Sequence, residues 1–82
     1  MTETLTIALA QLDPIVGDVV GNAQILREAR ARAAEMDADL IVASELVISG
    51  YPPEDLVLRP SFQETVEREV AVLANETVDG GP

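Results

Sequence analysis

Residues 38–56 read ADLIVASELVISGYPPEDL, and the fold is decided by how this stretch is read. An apolar run from Leu40 to Ile48 is interrupted by Ser44 and one carboxylate, Glu45, and then meets the turn-rich Gly50-Tyr51-Pro52-Pro53. An apolar run of this length beside Gly and Pro predicts a strand over about 40–48 that leaves the core of an α/β sheet. An unpaired carboxylate inside such a run is costly to bury, so Glu45 needs a reason to be there.

Working back toward the N-terminus, Asp39 and Ala38 follow a segment with helical periodicity. Leu26, Ala29, Ala33 and Met36 share one stripe, with Ile25 at its edge, which predicts a helix over about 22–36. Asn22 suits its N-cap, and Asp37 stands where the chain must turn left-handed to end it. Arg27, Glu28, Arg30 and Glu35 lie off the stripe and read as a solvated face. Before this helix comes a loop, Ile15 to Gly21, and before that TLTIALAQL (4–12), a β-rich segment that predicts a first strand over about 4–12, ended by Asp13-Pro14. Strand, helix and strand in this order imply a right-handed crossover between parallel strands. Open α/β sheets place their ligands at the carboxyl ends of such strands, which is where Glu45 falls.

Working forward, Pro53 suits the start of a short helix, with Glu54 and Asp55 at the positive end of its dipole. Ser61 and Glu64 form an S-x-x-E capping box opening a helix over about 61–76, with Phe62, Val66, Val70 and Leu73 at helical spacing. Asp79-Gly80-Gly81-Pro82 is a turn or linker. Two parallel strands and two or three helices leave sheet surface uncovered. The reading is therefore the opening β-α-β-α part of a larger α/β domain.

The totals exclude much chemistry. The 82 residues contain no Cys, no His and no Lys, which removes a Ser-His-Asp triad, a histidine or thiolate metal site and a phosphate loop with its lysine. Fifteen acids against five arginines give a net charge of −10, which repels nucleic acid and anionic lipid. No stretch has the length of a membrane span and the N-terminus lacks a signal-peptide pattern, so a cytoplasmic location is expected. Ser44 and Ser49 have no activating partner and no G-x-S-x-G elbow, and both read as structural. A carboxylate between Ala43 and the apolar Leu46–Ile48 would be partly desolvated, which favours its protonated form and poises it as a general base.

Ala38-Asp39-Leu40-Ile41-Val42, Ser44-Glu45-Leu46 and Ser49-Gly50-Tyr51 together resemble the opening of the nitrilase (carbon–nitrogen hydrolase) superfamily. The first strand with Gln11 and the loop with Gly21-Asn22 fit the same pattern. The extension from Gly50 through Pro53, Glu54, Asp55 and Leu56 to Pro60 is more specific and resembles the amidase domain at the N-terminus of glutamine-dependent NAD+ synthetases. The resemblance covers Leu5 to Pro82 and departs at Ser44, where the superfamily usually has proline. It implies an α-β-β-α sandwich with a Glu-Lys-Cys triad: the glutamate as general base, matched by Glu45, a cysteine that attacks the glutamine amide, and a lysine that helps stabilise the tetrahedral intermediate. Lysine and cysteine have no counterpart among these 82 residues, so the piece alone is expected to be inactive. The resemblance further implies a C-terminal synthetase domain that uses ATP and magnesium to amidate deamido-NAD+, and a homo-oligomer.

Two other readings compete. Another carbon–nitrogen hydrolase would share Glu45 but lack the GYPPEDL extension. A non-catalytic doubly wound module, such as a receiver-like domain, would need an acidic cluster after the first strand, where only Asp13 stands, and an aspartate ending a later strand.

Overall fold

The computed structural model describes residues 3–82. Its elements run β1 (Ile7–Ala10), α1 (Val19–Glu35), β2 (Leu40–Ala43), a 3-10 helix (Glu54–Leu58), α2 (Pro60–Glu76) and a closing 3-10 turn (Thr77–Asp79). The strands pair in parallel, from Ile7 opposite Leu40 to Ala10 opposite Ala43, with α1 as the connection. Asp39 extends the pairing by one step: its carboxylate accepts the Thr6 N–H at 2.9 Å and its own N–H donates to the Thr6 carbonyl at 2.8 Å.

Both strands are shorter than the sequence predicts. The apolar stretch 4–12 forms a strand only over Ile7–Ala10, because a ladder extends no further than its partner. The stretch 40–48 is a strand only to Ala43. At Leu46 the chain takes φ 59° and turns, closed by the Gly50 N–H on the Leu46 carbonyl at 2.8 Å. The apolar run thus does two jobs. Its first four residues join the sheet, and Val47 and Ile48 turn in toward the helices.

α1 begins one turn earlier than predicted. The Asp18 carboxylate, not Asn22, caps it, accepting the Gly21 N–H at 3.1 Å. Gly21 is what lets this cap close, since a Cβ there would stand 2.2 Å from an Asp18 carboxylate oxygen. The buried stripe shifts accordingly to Val19, Asn22, Ala23, Ala29 and Ala33, while Met36, just beyond the helix, is exposed. Asp37 takes the left-handed conformation expected of it, with φ 58°.

α2 also starts earlier. Pro60 occupies its first turn, where a missing N–H costs nothing, and Arg59 is the N-cap. Ser61 and Glu64 therefore lie inside the helix and form no capping box; Gln63 N–H reaches the Arg59 carbonyl at 3.1 Å. Phe62, Val66 and Leu73 pack on the core of Val19, Ala23 and Ile48, joined by Leu26 and Val47.

The predicted solvated face of α1 is partly an interface. Arg27 pairs with Glu76 at 2.9 Å and with Glu69 at 3.7 Å, and Arg30 grips both Asp79 oxygens at 2.6 and 3.1 Å. The pairs form because α2 lies against α1, so that α2 and the 3-10 turn after it bring carboxylates to the two guanidiniums. Along the sheet, Ala8, Ala10, Ile41 and Ala43 are half-buried on the α1 side, while Ile7, Leu9, Leu40 and Val42 alternate with them and are exposed. One whole sheet face is left uncovered, in keeping with part of a larger domain.

Candidate active site

Glu45 stands two residues beyond the end of β2, at the carboxyl end of a parallel strand. The turn that carries it, Glu45–Ser49, is built mainly from backbone contacts with the loop preceding α1. Asn22, fully buried on α1, makes three hydrogen bonds with its side chain. Its Oδ1 accepts the Ile15 N–H at 2.8 Å, and its Nδ2 donates to the carbonyls of Ile15 at 2.8 Å and of Ile48 at 2.9 Å. The Gly17 N–H donates to the Ser49 carbonyl at 2.9 Å. Gly50, at φ 82°, lies flat against the same loop, and a Cβ there would meet Val16 Cα at 2.6 Å.

Ser49 is structural, as expected. It is buried, with its hydroxyl 3.2 Å from both the Leu46 and Gly50 carbonyls. Ser44 is exposed and sits opposite the residue after β1, Gln11, at the rim of a cleft of about 370 Å³ lined also by Leu9, Ala10, Leu12, Val42 and Ala43. This cleft opens at the carboxyl ends of both strands.

The expectation that Glu45 is enclosed by apolar neighbours is not met. Glu45 is exposed and, among the described residues, forms no ion pair. Its apolar neighbours go elsewhere: Leu46 is itself exposed, and Val47 and Ile48 turn toward α2. Any wall that dries this carboxylate therefore comes from outside these residues.

Asn22 was legible only as a helix cap, yet it organises the site. The signal that points to its real place is position. It lies four residues before Leu26 and seven before Ala29, on the apolar stripe, and a polar side chain on a buried stripe must find partners. Among the described residues no group of three or more Asp or Glu side chains is placed to hold a metal ion, and no helix is long and apolar enough to cross a membrane.

A parallel β-α-β unit with one carboxylate in the turn beyond its second strand defines an α/β protein, a class whose open sheets place ligands at the carboxyl ends of the strands. The chain belongs to the carbon-nitrogen hydrolase family, whose model matches residues 6–79. Among curated relatives it is 46% identical over 71 residues to the glutamine-dependent NAD(+) synthetase of Synechocystis sp.. It is 47% identical over 75 residues to that of Xanthomonas campestris pv. campestris and 39% identical over 80 residues to that of Rhodobacter capsulatus. These matches cover 87%, 90% and 98% of this chain but only 13–14% of the relatives' length.

Proposed function

We propose that this chain is the opening segment of a glutamine-hydrolysing amidase domain, and that Glu45 is its proton acceptor. On this reading the ammonia released feeds an ATP-dependent amidation of deamido-NAD+ in a separate domain of the same cytoplasmic protein. The observation that carries it is the position of Glu45 at the carboxyl end of β2, in a chain of the carbon-nitrogen hydrolase family whose relatives bear the name glutamine-dependent NAD(+) synthetase.

The chemistry asked of Glu45 is simple. A thiol becomes a good nucleophile only when deprotonated, so the carboxylate takes its proton as sulfur attacks the amide carbon of glutamine. As the tetrahedral intermediate collapses, the C–N bond breaks and Glu45 returns the proton to the departing ammonia. Water, deprotonated by the same carboxylate, then hydrolyses the thioester to glutamate and free thiol. The cysteine and the lysine of this scheme come from outside the 82 residues, which contain neither. ATP and magnesium belong to the synthetase domain, and no step through them involves these residues.

The test is Glu45→Gln in the full-length protein, assayed with glutamine and with free ammonia. Glutamine-dependent NAD+ formation should fall by about 100-fold or more, the range spanned by loss of a general base. Ammonia-dependent formation should persist, because ammonia bypasses the amidase. Unchanged use of glutamine would remove Glu45 from the mechanism.

A further inference from the structure

The geometry points to Asn22 as a positioning residue for Glu45: by fixing the Ile48 carbonyl it holds the turn whose backbone places Glu45 at the carboxyl end of β2. The inference rests on the reading of Glu45 as proton acceptor. Glu45 is exposed and has no ion-pair partner among the described residues, so nothing they supply at the side-chain level aims it. What these residues do set is the position of its backbone. That backbone enters a turn with Leu46 at φ 59°, and is pinned at the far side of the turn by the Asn22 bond to Ile48, the Gly17 bond to Ser49 and the contact of Gly50 with Val16. From Ile48 back to Glu45 is three residues, at most about 10 Å of chain, and the turn between them is closed by the Gly50 N–H on the Leu46 carbonyl, so a shift at Ile48 displaces the turn that carries Glu45.

Asn22 is suited to this task in a way no apolar residue would be. Its amide pairs with both the N–H and the carbonyl of Ile15, which fixes the side chain's plane, and spends its remaining donor on Ile48. It therefore locks the pre-helix loop and the Glu45 turn to one rigid point on α1. A misplacement of about 1 Å from a group remote from the chemistry can cost about 100-fold in rate.

The experiment uses the full-length protein with Asn22→Ala and Asn22→Asp, the first removing all three bonds and the second removing the two donors. A glutamine-like diazoketone that alkylates the nucleophilic thiol counts competent sites, and steady-state glutaminase rates are divided by that count. Expected is a fall of about 10- to 100-fold in kcat per titrated site with KM for glutamine unchanged, while ammonia-dependent synthesis persists. A kcat per site equal to that of the parent overturns the proposal. So does loss of titratable sites, with or without the ammonia-dependent rate, because Asn22 would then build the domain and not aim a group within it. Glu45→Gln, run alongside, separates the failures: if that variant is inactive with glutamine while the Asn22 variants keep kcat per site, the role of Glu45 stands and that of Asn22 falls.

Discussion

The side-chain amide of Asn22, fully buried on α1, donates to the carbonyl oxygen of Ile48 at 2.9 Å. That bond joins the first turn of α1 to the turn after the second strand, 26 residues further on. Gly50 completes the junction, with φ 82° and its Cα lying directly against the Val16 backbone. Gly50→Ala introduces a Cβ at 2.6 Å from Val16 Cα and a left-handed alanine at once. Strain of this kind costs about 1–3 kcal/mol, and the backbone clash adds to it. Denaturant unfolding of the full-length protein should show the amidase transition at lower concentration with an unchanged slope. An unaltered midpoint would mean that the junction is looser than its geometry indicates.

A second expectation concerns the start of α1, where Asp18 and Gly21 are coupled. Asp18→Ala removes the cap and should destabilise by about 1 kcal/mol. Gly21→Ala alone gains up to about 1 kcal/mol of helix propensity, but its new Cβ would occupy the space of the Asp18 carboxylate and open the same cap. The two effects nearly cancel. In the Asp18→Ala background the cap is already gone, and Gly21→Ala should then stabilise. A double-mutant cycle on thermal unfolding reads this as a coupling of about 1 kcal/mol, and strict additivity would refute it.

How much of this was legible in the residues follows from what each element depends on. The β-α-β order, the existence of α2 and the packing of Phe62, Val66 and Leu73 are local patterns legible in the sequence, while Val70 of the same predicted stripe is exposed and the S-x-x-E box does not form. Glu45 at the carboxyl end of β2 is legible for the same reason. The end of β2 is not. Leu40–Ile48 is apolar on both sides of Ser44-Glu45, and whether Val47 and Ile48 continue the strand or turn inward depends on Asn22, Gly17 and Val16, which are distant in the chain. Asn22 itself misleads, because a polar residue at a predicted helix start reads as a cap unless the earlier cap, Asp18, is seen first. Arg27 and Arg30 read as solvated because their partners lie 49 residues away for Glu76 and for Asp79.

The last of these pairs carries a pH dependence whose sign can be worked out. The Arg30 guanidinium, hydrogen-bonded to both oxygens of Asp79, together with the Gly81 N–H, holds the Asp79 carboxyl down from the ordinary value of 3.8 to about 2. A group whose folded value is depressed stabilises the fold while it is ionised, above its unfolded value. Its contribution is therefore whole above about pH 4 and is lost as the pH falls through about 2. Asp79 is largely solvent-exposed, so added salt should weaken the same contribution. Hydrogen exchange at the last turn of α2, followed from pH 5 down to 2, should show protection falling across that window. Asp79→Asn should start with less protection at pH 5 and lose less on acidification. Equal acid sensitivity in both proteins would assign the effect to other carboxylates, and the docking of α2 on α1 would not depend on this pair.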